Sequence, residues 1–207
     1  SLSSDNIGRP HGYVAIDDVT ITGYEPGEAQ EPVTPPTGEP TAFEIFEDFD
    51  DASHFSQGGI APDGWLSTGN SALTRSEAGA YLTGYDANSG AYAMHSEHNP
   101  NGRNEVLYTP MMKLAAGKEA TISFYINAPG GSPAMAFFAK ATVKAGTAQT
   151  PEAQTVELGT TSAAFASWTE VKYTFTPEAD GEYCFSIALS LSSDNIGRPH
   201  GYVAIDD

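Results

Sequence analysis

The sequence predicts an all-β protein, a jelly-roll β-sandwich of two antiparallel sheets, on three observations. There are 21 glycines and 14 prolines among 207 residues, and charged residues make up only 17%, a mix that suits short strands joined by many turns. Apolar residues recur with period two in several short segments, the pattern of strands with one face on a core. No stretch carries the spacing of an amphipathic helix.

The chain opens on Ser1–Asp18, SLSSDNIGRPHGYVAIDD, and the same eighteen residues return as Ser190–Asp207. Chance does not produce such identity. The offset of 189 residues exceeds a solenoid repeat and matches a whole domain with its linker, so a tandem array is expected. Residues 1–24 then read as closing strands of a preceding repeat. The first copy continues as Val19-Thr20-Ile21-Thr22-Gly23-Tyr24, whereas the second stops at Asp207, which leaves the second domain without the end of its last strand. A neighbouring chain's N-terminal copy could supply it by strand addition. The chain starts with neither a methionine nor a signal segment and reads as an internal fragment.

Residues 25–42, EPGEAQEPVTPPTGEPTA, hold five prolines, four glutamates and no basic residue. Such a composition builds no core and favours extended conformations, so it reads as a semi-rigid spacer. Residues 43–207 form the sandwich domain. Within it, Ile122, Phe124 and Ile126 share one strand face, as do Val171, Tyr173 and Phe175, and Tyr183, Phe185, Ile187 and Leu189. Segments 135–143 and 153–158 add strands, with turns at GKEA and EADGE. Trp65 and Trp168 are expected to pack in or beside the core.

With 27 acidic against 9 basic residues the net charge is −18, so nucleic acid and anionic membrane surfaces are repelled and neither is an expected partner. No apolar run reaches the length of a membrane span. A single cysteine, Cys184, excludes an intrachain disulfide. His95 and His98, in HSEHNPNGRNE, lack the spacing of a zinc hydrolase helix and are expected in a polar loop. No nucleophile elbow or phosphate loop is present, and the expected protein is not an enzyme.

Clustered carboxylates in Phe46-Glu47-Asp48-Phe49-Asp50 and in Ala204-Ile205-Asp206-Asp207 become neighbours if the first and last strands of the domain pair. Hard oxygen donors of this kind suit Ca2+, with Glu47, Asp48, Asp206 and Asp207 as candidate ligands and Asp17 and Asp18 as their equivalents in the preceding repeat. Val203 and Ile205 lie on one parity, Val19 and Ile21 on the other, so a bulge is expected at the Asp pair. Such an ion would staple the fold and perform no chemistry.

The order FEDFD, then Pro62-Asp63-Gly64-Trp65, then Asn104-Glu105-Val106-Leu107-Tyr108-Thr109-Pro110, and finally Gly201-Tyr202-Val203-Ala204-Ile205-Asp206-Asp207 resembles the choice-of-anchor and cleaved-adhesin domains of Bacteroidetes surface proteins, which are MAM-like in pattern. The MAM cysteines are absent. The resemblance implies a jelly-roll sandwich, a bacterial cell-surface or secreted location, and cell adhesion. Domains of this type often carry a structural calcium between first and last strands. The expected function is a non-catalytic repeat of a large adhesin or stalk, whose partners are neighbouring repeats and glycans or host surface proteins. Two alternatives stand beside it: a carbohydrate-binding module using Tyr81, Tyr85, Tyr92 and Tyr108 as stacking platforms, and a subunit polymerised by strand exchange.

Overall fold

The computed structural model describes residues 18–26, 39–55, 60–69, 74–77, 87–95, 105–128, 139–164, 167–191 and 204–206. Among the described residues thirteen strands run in chain order: β1 Val19–Glu25, β2 Thr41–Glu47, β3 Leu66–Thr68, β4 Thr74–Glu77, β5 Tyr92–His95, β6 Val106–Tyr108, β7 Met112–Leu114, β8 Ala120–Asn127, β9 Ala139–Gly146, β10 Val156–Ser162, β11 Thr169–Phe175, β12 Gly181–Leu191 and β13 Ala204–Asp206. Every pairing between them is antiparallel. The described residues form an all-β sandwich of two antiparallel sheets, as the sequence predicts.

One sheet joins β10, β9, β12, β6 and β3, with β7 added to β12. The other is centred on β8. All of β11 pairs along one edge of β8, from Thr169↔Ile126 to Phe175↔Ala120. The opposite edge is divided: β1 pairs from Thr20↔Ser123 to Thr22↔Thr121, and β13 from Ala204↔Asn127 to Asp206↔Tyr125. Beyond β1 lies β2, and beyond β13 lie β5 and β4.

Alternation decides which side chains meet between the sheets. Ala120, Ile122, Phe124 and Ile126 of β8, Val19 and Ile21 of β1, Ala141, Val143 and Ala145 of β9, and Phe185, Ile187 and Leu189 of β12 all belong to one buried cluster. Val171 joins it, with Tyr173, Phe175 and Tyr183 partly buried at its margin. Trp65 lies in this core, edge-on to Phe49 with ring centroids 6.0 Å apart.

Several expectations need adjustment. The strand expected over 153–158 begins only at Val156, because Pro151–Ala153 form a 3-10 turn; the proline supplies the fixed φ of its first position. The strand expected from 135 is described from Ala139. His95 is not in a polar loop: it ends β5, where it pairs with Ala204 and Thr74, and is buried. His98 lies outside the described residues. The spacer is shorter than read, since β1 runs to Glu25 and β2 starts at Thr41.

Candidate functional site

The expected pairing of first and last strands is realised in an unexpected way. β2, the first strand after the spacer, pairs with β1 over seven positions, from Val19↔Glu47 to Glu25↔Thr41. The place of the domain's last strand is therefore taken jointly by β13 and by β1, which lie end to end on β8. β13 lies in the second copy of the repeated sequence, and β1 directly follows the first. An uninterrupted strand continuing from Asp206↔Tyr125 would bring the repeat's valine opposite Ser123, yet Thr20 stands there. β13 and β1 are separate segments of the chain, so this offset is a difference of register between two strands; Asp18, just before β1, has a left-handed φ of 46°.

The repeat's aspartate pair is assembled across this meeting point: Asp206 ends β13 and Asp18 immediately precedes β1. Asp18 is buried, and its Oδ2 is hydrogen-bonded to the Ser89 hydroxyl. Glu47, opposite Val19, is also buried. Asp48 and Asp18 are each one residue beyond that last ladder pair. Among the candidate ligands, then, Asp18, Glu47 and Asp48 lie at the same end of the β1–β2 ladder, and β13, which ends at Asp206, occupies the adjoining stretch of β8. Asp17 and Asp207 lie outside the described residues.

Local hydrogen bonds hold the acidic loop in shape. Glu47 Oε1 accepts the Phe49 amide at 2.9 Å and Oε2 lies 3.0 Å from His54 Nδ1. Burial raises the Glu47 pKa above the usual carboxylate value, against the opposing pull of the Phe49 amide and His54. Asp48 Oδ1 accepts the Asp50 amide at 3.0 Å. Asp50 Oδ1 in turn accepts the amides of Ala91 and Tyr92 at 2.9 and 2.8 Å, which ties the segment before β5 to the end of β2.

Sequence reading missed Arg75, on β4. Its guanidinium donates to the Phe49 and Asp50 carbonyls and lies over the Tyr92 ring, 3.4 Å from its centroid. One basic residue among so many acidic ones was the available signal. Arg75 shields Tyr92, and Tyr108 is buried in the sandwich, so neither is an open stacking platform. Tyr81 and Tyr85 lie outside the described residues. Among the described residues no group of three or more His, Cys, Asp or Glu side chains is arranged to hold a metal.

No family model matches the sequence, and no curated protein matches it. The fold does have relatives among solved structures. The K1 cleaved adhesin domain of Lys-gingipain from Porphyromonas gingivalis W83 superposes with a TM-score of 0.54 at 15% identity, covering 77% of this chain and 92% of that one. The K2 cleaved adhesin domain of Lys-gingipain gives 0.52 at 13% identity, covering 77% and 94%. With two antiparallel sheets closed where first and last strands meet, this chain is similar in fold to the cleaved-adhesin type of domain.

Proposed function

We propose that this chain is a non-catalytic repeat unit of a large cell-surface or secreted adhesin or stalk. The observation that carries the reading is the duplication: the same eighteen residues recur 189 residues apart, and β13, from the second copy, lies end to end on β8 with β1, which directly follows the first copy. A sequence duplicated at the spacing of a whole domain is what an array of such domains requires. Many weak sites on one chain give avidity. The shared fold with cleaved adhesin domains supports an adhesive or binding role outside the cell. No helix among the described residues is long and apolar enough to cross a membrane.

The test is the length and location of the native polypeptide, read by protease shaving of intact source cells and mass spectrometry with a denaturing gel. A shaved, surface-exposed chain many times longer than one unit is expected. A chain of one unit, or one released only on lysis, would sink the reading.

The same reading includes a structural Ca2+ where the two copies meet. Supporting it, Asp18 and Glu47 are carboxylates withdrawn from water, Asp48 flanks them, and the donors are all hard oxygens. Asp206, Asp207 and Asp17, with backbone carbonyls, are assigned the remaining positions. An ion bound by the folded chain alone would add its binding free energy to stability.

A further inference from the structure

We propose that β1 is an exchangeable strand: the seat between β2 and β8 of one chain accepts Val19–Glu25 of a second copy of the same chain. This goes beyond the adhesive role, which stands whether or not exchange occurs.

The seat is demanding and specific. β1 is paired on both edges, along its whole length to β2 and over Thr20–Thr22 to β8, and Val19 and Ile21 are fully buried. A strand with two paired edges and an apolar inner face is the ligand used in strand addition. β13 already occupies the stretch of β8 beyond it. Each chain thus offers one seat and one donor strand, the stoichiometry of swapped dimers and open chains.

The connection favours exchange. β1 is joined to β2 through residues 26–40, yet Glu25 faces Thr41, so the two ends of that segment are held about 5 Å apart. Its composition opposes this. Pro26, Pro32, Pro35, Pro36 and Pro40 favour extension, and Glu28, Glu31 and Glu39 repel one another with no basic residue to offset them; at full polyproline extension it would reach on the order of 45 Å. Seating β1 in a second copy keeps every ladder contact, because the seats are identical, and lets the connection extend. The opposing term is the entropy of association, so exchange must grow with protein concentration.

Full-length chains carrying Thr20→Cys or Ser123→Cys, which face each other across the β1–β8 ladder, provide the test. Cys184 is fully buried and stays out of the oxidation. The two single variants are mixed, refolded together, oxidised and run on a non-reducing denaturing gel. A covalent heterodimer whose yield rises severalfold with concentration is expected, and an off-register mixture of Thr22→Cys with Ser123→Cys should give severalfold less. Replacing residues 26–40 by a Gly/Ser segment of equal length should lower the yield. The proposal is overturned if the mixture remains monomeric at every concentration while the Thr20→Cys/Ser123→Cys double variant closes within one chain, or if cross-linking ignores register. Failure of the double variant to oxidise in any form would remove the seat itself.

Discussion

Ile21→Ala decides whether the N-terminal copy is part of this sandwich. Ile21 is fully buried, faces Ile122 on one side and Ile45 on the other, and belongs to the central cluster. Removing its three side-chain carbons from such a site loses transfer free energy and leaves a cavity, a combination that costs about 2–5 kcal/mol. The surrounding ladders limit collapse into the gap, which places the expected value in the middle of that range. For a domain of this size each kcal/mol lowers Tm by about 2–4 °C, so a drop of roughly 6–14 °C is expected. The assay is urea unfolding followed by fluorescence of Trp65 and Trp168, with thermal melts alongside. Thr22→Ala is the control, since Thr22 is on the same strand but exposed, and its change should stay within about 0.5 kcal/mol. An Ile21→Ala chain as stable as its parent would show that β1 is not seated on β8, whether from its own chain or another. The strand-exchange proposal would fall with it.

Glu47→Gln tests the buried carboxylate. Because burial raises the Glu47 pKa in the folded state, the native form binds its proton more tightly than the unfolded chain; the resulting penalty is absent below the unfolded value, grows as pH rises through the folded one, and is full above it. Without divalent cation the variant should therefore gain stability over the parent near pH 7 and lose that advantage near pH 3; an advantage independent of pH would refute the assignment. Calcium should raise the parent's Tm, by the equivalent of about 2.7 kcal/mol at a hundredfold excess over Kd, and raise that of Glu47→Gln less, whereas melts unchanged by chelator would reject the ion. Gly90→Ala should destabilise by roughly 1–3 kcal/mol, because Gly90 has φ 55° and a Cβ there would meet the Asp50 carboxylate; a neutral result in denaturant titration would mean that the Asp50 contacts to Ala91 and Tyr92 are not held. Cys184, buried with its thiol pKa pushed up by desolvation and with the Gln154 amide 3.2 Å from its Sγ, should resist thiol reagents until the chain unfolds, and rapid labelling in the native state would contradict its placement in β12.

Much of the fold was legible along the chain because a strand's burial pattern is local. The alternation at Ile122, Phe124 and Ile126 or at Phe185, Ile187 and Leu189 needs nothing beyond the pleat to assign one face to the core. The change of parity between Val203 and Ile205 on one side of the aspartates and Val19 and Ile21 on the other was legible too, and β13 and β1 differ in register on β8 by one residue. Where the local signal was ambiguous, reading failed. The polar surroundings of His95 concealed a short strand buried between β4 and β13, and the tyrosines looked alike although Tyr108 is buried and Tyr92 lies under Arg75.

The sequence by itself determined the all-β class, the repeat and the composition of residues 25–42, all of them properties of residues near one another or of direct identity. It could not determine that β13 and the strand following the first copy share one edge of β8. That depends on an edge of β8 long enough for one strand but divided between two, and on a register fixed by side chains that meet only when the sheets pack. Arg75 reaches the acidic loop across the same long range. Tertiary structure decided these matters because β1, β8 and β13 are far apart along the chain and meet only when the sheet forms.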